Sequence, residues 1–131
     1  MKKLVIIILL FFILSCENKI IIYDENNKPK EKDIKSIALK SLKSISADPK
    51  SVDINDIFVP YYCKEPNQYG NDIGWVTLVN FNWVNMKGQR ERQIWYFAIT
   101  SNITATLPDQ NTAKLFYETE QNKYFKKTTN Q

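Results

Sequence analysis

The chain has no histidine, and its 131 residues include only three glycines and two cysteines. Without imidazole there is no Ser-His-Asp triad, no Cys-His dyad, no HExxH zinc site and no histidine proton shuttle. The glycines are Gly70, Gly74 and Gly88, so neither GxGxxG nor the phosphate-cradling GxxxxGK[ST] occurs in the chain. No loop alternates Asp and Asn ahead of a distal Glu in the manner of a calcium site. What the chain does have is 44% apolar and 13% aromatic residues, far more than a disordered chain carries. The expectation is one packed domain with no cofactor and no bound metal.

At the N-terminus, Lys2 and Lys3 precede eleven uninterrupted apolar residues, Leu4 to Leu14, followed by Ser15 and Cys16. As a helix this run spans about 17 Å, short of the roughly 30 Å of bilayer hydrocarbon, so it reads as an export signal rather than a membrane span. The sequence Ile13-Leu14-Ser15-Cys16 resembles the lipobox of bacterial lipoproteins. That resemblance implies cleavage before a diacylglyceryl-modified Cys16, which then anchors the chain in the membrane. It also implies the outer membrane as the default address, because Glu17 stands where some Gram-negative bacteria use an aspartate to retain lipoproteins at the inner membrane. Loss of residues 1–15 leaves 116 residues with a formal charge of +2, so the pI of about 9.0 overstates the basicity of the mature chain. An exported, nearly neutral domain is not expected to bind nucleic acid.

Residues 16–29 read as the lipidated cysteine and a tether, 30–125 as a single α+β domain, and 126–131 as a frayed end. Within the tether, Ile20 to Tyr23 form an apolar cluster. It reads as a short edge strand docking back onto the domain, with an apolar patch near the headgroups as the alternative. Ile34, Ile37, Ala38, Leu42 and Ile45 then recur at helical spacing, making a stripe about 140° wide that suits one face of a sheet. Pro29 or Asn27 starts this helix and Asp48-Pro49 ends it. Lys32, Lys35, Lys40 and Lys43 fall on its opposite, solvated side.

Val52 to Cys63 reads as one strand, with Pro60 placing it at an edge or at a bulge, and Lys64 to Asp72 as a loop. Between Gly74 and Ser101 lie two long strands around Asn85-Met86-Lys87-Gly88, which suits a type I turn with a bulge at Gly88. That turn sets Trp83 opposite Glu91, Phe81 opposite Gln93, Val79 opposite Trp95, Thr77 opposite Phe97 and Trp75 opposite Ile99. One face is then aromatic and apolar, to be covered by the helix. The other carries Asn80, Asn82, Arg90, Arg92 and Tyr96. Ile103 to Leu107 is a possible fourth strand, and Ala113, Phe116, Tyr117, Glu120 and Tyr124 mark a short C-terminal helix.

Among residues that carry chemistry, Cys63 is the only thiol left once Cys16 is acylated, which rules out an intrachain disulfide and points to a buried apolar role. Asp53 and Asp56 are three residues apart, which in a regular strand puts them on opposite faces. Stacking of Trp75 or Trp83 on sugar rings competes with core packing, and the covering helix favours the core. Arg and Tyr are enriched at protein interfaces, so Asn80, Asn82, Arg90, Arg92 and Tyr96 form the candidate partner-binding surface.

Beyond the lipobox, a helix, the step Asp48-Pro49-Lys50-Ser51 and a strand meander look like many small uncharacterised bacterial lipoproteins with a DPxS step, a likeness that supports the order of elements and implies no activity. The expectation is an α+β fold in which an N-terminal amphipathic helix packs on an antiparallel meander of three to four strands. The expected role is non-enzymatic: binding a protein in the envelope, as an inhibitor or immunity-type lipoprotein does, or alternatively binding a glycan or envelope polymer.

Overall fold

The computed structural model describes residues 19–129. Cys16, the expected acylation site, and the apolar run before it lie outside the described residues, as do the last two residues. The elements are α1 (Glu31–Ile45), a 3-10 turn (Pro49–Ser51), β1 (Asp53–Ile57), β2 (Tyr61–Pro66), β3 (Asp72–Val84), β4 (Arg90–Ser101), β5 (Thr104–Thr106) and α2 (Gln110–Thr129). This is an α+β fold with a five-stranded antiparallel sheet in the order β1-β3-β4-β5, with β2 also paired to β3.

The β3–β4 hairpin forms in the expected register, from Trp75 opposite Ile99 to Val84 opposite Arg90. The turn is closed by Gly88 N–H donating to Asn85 O at 2.9 Å and Asn85 N–H donating to Gln89 O at 2.9 Å, with Gly88 at φ +77°. Only glycine enters that left-handed region without strain, and the one-residue bulge it makes decides which side chains share a face.

The strand expected over residues 52–63 is two strands. Pro60 has no N–H to give a ladder, and the chain kinks at Val59-Pro60 before resuming on the same edge of β3. Phe58 bridges the break: its N–H donates to Leu78 O at 3.0 Å, and its carbonyl accepts the Thr77 hydroxyl at 2.8 Å. That bond satisfies a hydroxyl buried in the otherwise apolar column Trp75, Val79, Phe81.

Helix α1 covers the aromatic face. Ile34, Ile37, Ala38 and Leu42 pack with Val52, Ile54, Trp75, Val79, Phe81, Trp83, Phe97 and Ile99 in one buried cluster. The stripe runs one turn too far in the sequence, for Ile45 is exposed at the end of α1. Asn27 does not cap the helix; Lys30 holds the cap position without a side-chain bond, and the Asn27 amide donates to Ile22 O.

The C-terminal helix is 20 residues long, not short. Its start is determined by two side chains. Asp109 accepts from Thr112 N–H at 3.1 Å and Thr112 Oγ1 at 2.6 Å, an N-cap that holds the Asp109 carboxyl below the usual carboxylate range. Gln110 takes both backbone groups of Tyr96, donating to its carbonyl at 3.0 Å and accepting its N–H at 2.9 Å, as a neighbouring strand residue would. From there α2 crosses the second sheet face, burying Ala113 and Tyr117 against Cys63 and Val76, with Tyr61, Leu78, Tyr96 and Phe116 around them. The molecule therefore has three layers, with α1 and α2 on opposite faces of the sheet.

The expected docking of Ile20 to Tyr23 back onto the domain occurs, so part of the tether belongs to this body. Ile22 bridges antiparallel to Ser101 before α1 begins, Tyr23 is buried in the α1-side core, and Trp75 Nε1 donates to Asp24 O at 2.8 Å.

Five tyrosines lie in this framework with phenol pKa values raised above the ordinary one. Burial raises Tyr23, Tyr61 and Tyr96, and raises Tyr117 most; a 2.7 Å hydrogen bond to Asp72 pushes Tyr62 up to about 12. The unfolded chain loses these protons near pH ~10, before the folded chain does, so stability is complete below that pH and falls as pH rises through the folded values. Tyr62 sits close to solvent, where screening weakens its share, so Tyr117 dominates. An ultraviolet titration is expected to show these phenolates appearing together with loss of near-UV circular dichroism. Smooth ionisation near pH 10 in a still-folded protein contradicts it.

Candidate functional site

Helix α2 covers one part of the second sheet face and leaves the hairpin-proximal part open. Across the open part, the strand register forms polar rows. Asp56 lies beside Asn80 and Ile94, Asp53 beside Asn82 and Arg92, and Val84 beside Arg90. Residues directly paired across antiparallel strands point to the same side, so Asp53 and Asp56 share a face. This corrects the opposite placement expected from their spacing. The cause is a bulge between Ile54 and Asp56 that adds Asn55 to β1 and keeps both Ile54 and Ile57 turned to the core.

The resulting strip has carboxylates on β1, asparagines on β3 and guanidinium groups on β4. Neighbouring strands are about 4.8 Å apart, so its acidic and basic edges are separated by about 10 Å. The asparagines tie it together. Arg92 Nε donates to Asn80 Oδ1 at 2.9 Å, Asn55 Nδ2 approaches the same oxygen at 3.5 Å, and Asn82 Nδ2 donates to Asn55 Oδ1 at 3.4 Å. Asn80 is consequently buried, a structural support beneath Arg92 rather than a contact residue. Among the described residues neither Arg90 nor Arg92 is in an ion pair, and both are exposed. Ile94 is exposed beside them.

Of the five residues singled out from sequence, Arg90, Arg92, Asn80 and Asn82 come together here. Tyr96 does not: its ring lies 5.6 Å from Tyr117 under α2, half-buried. The sequence pattern assigns no role to Asn55 and, by placing Asp53 and Asp56 on opposite faces, leaves both aspartates out of this surface. The one signal for them was an asparagine inside a strand otherwise rich in β-branched residues.

The other constellations are structural. Cys63 is buried and unpaired, and burial raises its thiol pKa, so it stays protonated and a poor nucleophile. Among the described residues no group of three or more His, Cys, Asp or Glu side chains is placed to hold a metal ion. Trp75 and Trp83 are buried under α1, and Trp83 Nε1 donates to Glu91 at 3.0 Å, which lowers the pKa of that carboxylate. Neither of these two rings thus offers an open platform for stacking on a sugar.

Two clefts flank the sheet edge formed by β1 and β2. One of about 650 Å³ lies between β2 and α2, lined by Cys63, Glu65, Phe116 and Thr119; the other, of about 450 Å³, lies between the start of α1 and the Phe58-Val59-Pro60 kink. The first is lined as well by Tyr62, whose phenol pKa the hydrogen bond to Asp72 raises, beside the Cys63 thiol, whose pKa burial raises. Comparison with protein-family models, with curated proteins and with solved structures finds no match to this chain.

Proposed function

We propose that this chain is an envelope lipoprotein, anchored through acylated Cys16 in the outer membrane, whose domain binds a protein partner without catalysing a reaction. The partner is read as lying across the polar strip of β1, β3 and β4, in the manner of an inhibitor or immunity-type lipoprotein. The observation that supports this most is the pair of exposed guanidinium groups outside any ion pair among the described residues, one of them fixed by a buried asparagine. A planar donor already held in place loses little side-chain entropy on binding, which is how arginine anchors interfaces. A complementary surface carries the reverse order, with carboxylates over β4 and cations over β1.

A photo-crosslinking residue in place of Ile94, tested in the native envelope, is expected to form a defined protein adduct that the same residue at Lys43 on α1 does not. Arg90→Glu with Arg92→Glu should reduce that adduct at least tenfold, while Lys40→Glu leaves it intact. Equal adducts from both faces, or none from Ile94, remove the reading. The anchor is tested separately by intact mass: the expected species is residues 16–131 plus acyl chains.

A further inference from the structure

We infer that the end of the domain where the chain enters is seated on the lipid surface, through a pad of Ile20, Ile21, Ile22 and Ile103 held in one orientation by Asn102. The inference rests on the reading that Cys16 is acylated. These isoleucines are 62%, 46%, 62% and 52% exposed, although each is large and apolar. They are neighbours because residues 19–23 lie against the β4–β5 turn. Asn102 Nδ2 donates to Lys19 O at 3.0 Å, Asn102 Oδ1 accepts Ile21 N–H at 2.9 Å, and Asn102 N–H donates to Ile21 O at 3.0 Å. The Ile22–Ser101 bridge and the Tyr23 N–H bond to Thr100 O at 2.9 Å continue the attachment into the core.

Chain length commits this pad to lipid. Lys19 is three residues from Cys16, and a fully extended chain covers at most about 3.6 Å per residue, so it stands within about 11 Å of the acylated residue. The headgroup layer is itself roughly 5–7 Å deep on each side of the bilayer. A domain pinned at Lys19 therefore has no slack to swing away, and any other occupant of the pad has only a few ångströms in which to fit. Lys19 adds a cation at the same end. The carboxylates that follow are engaged: Asp24 accepts Asn26 N–H at 3.0 Å, and Glu25 pairs with Lys64 at 2.8 Å. This arrangement fixes which way the polar strip faces, because the same β4 carries Arg90 and Arg92 at its other end, away from the bilayer.

The test uses the full chain, matured in a host that processes lipoproteins and reconstituted in phosphatidylethanolamine–phosphatidylglycerol vesicles. A nitroxide is attached at Ile103→Cys, or at Lys87→Cys in the hairpin turn as a water-exposed control; Cys63 is buried and is replaced by alanine in both. The expected result is a ratio of oxygen to water-soluble nickel-chelate collisions at least threefold higher at Ile103→Cys than at Lys87→Cys. Adding Asn102→Ala, with the acylated mass retained, should bring the ratio down to that of the control. Equal ratios in the acylated protein overturn the pad. Protection from both reagents overturns it in favour of a protein or a second copy on this surface, and an unacylated mass overturns the anchor reading itself.

Discussion

Replacing Phe81 with alanine is expected to cost about 3–5 kcal/mol of folding stability, the usual range for truncating a buried aromatic side chain. Phe81 is fully buried towards the hairpin end of β3, and its ring meets Trp83 at 5.5 Å and Trp95 at 5.0 Å, each edge to face. The two tryptophans also meet each other at 5.0 Å. Truncation leaves a void beside two tryptophan rings that the hairpin register and α1 hold in place, so the surroundings cannot collapse into it. Domains of this size are stable by roughly 5–15 kcal/mol, so the variant keeps a folded population with a sharply lower urea midpoint. The near-UV dichroism of the coupled tryptophans should weaken along with stability. A midpoint shift equivalent to less than 1 kcal/mol shows that the site relaxes freely and that the ring cluster is not the centre of the core.

Gly74→Ala is expected to destabilise by about 2–3 kcal/mol, against about 1 kcal/mol for Gly88→Ala. Both glycines have positive φ, +100° and +77°. Their surroundings differ. A Cβ at Gly74 meets Thr100 Cγ2 at 3.1 Å and the Ile99 carbonyl oxygen at 3.2 Å, whereas one at Gly88 meets nothing within 4 Å. The side chain of Thr100 can rotate, but the Ile99 carbonyl belongs to the central strand β4, whose displacement disturbs the buried Ile99 and the Trp75 pairing. Chemical denaturation of the two variants separates backbone strain, which they share, from close approach, which only Gly74 has. Equal losses assign the whole effect to φ.

The polar strip illustrates how a one-residue irregularity changes chemistry. A regular β1 divides its two aspartates between core and solvent, and the core would reject one of them. Inserting Asn55 as a bulge keeps both isoleucines inside and both carboxylates outside. The asparagine then bonds across to Asn80 and Asn82, so the residue that breaks the strand also binds it to its neighbours.

Local chemistry alone determined much of this protein. The 3.6-residue spacing of Ile34, Ile37, Ala38 and Leu42 and the Asn85 to Gly88 turn are each written in a few adjacent positions. The turn was the most informative, because the pairing of ten residue pairs follows from the count of residues in one loop. The tertiary structure decided the rest, and in each case the deciding group is distant in the chain. Tyr96 lies under α2 because Gln110 clasps its backbone and Tyr117 packs on its ring. Residues 19–23, legible as a strand that docks back, find their partner in Asn102, some eighty residues away. α2 continues to Thr129, past the recurrence that ends at Tyr124, with the Asp109 cap and the packing of Ala113 and Tyr117 on the sheet supporting it. Spacing within one segment shows which side chains can share a face. Which of those faces stays open to a partner depends on what the remaining chain covers, and no local pattern contains that.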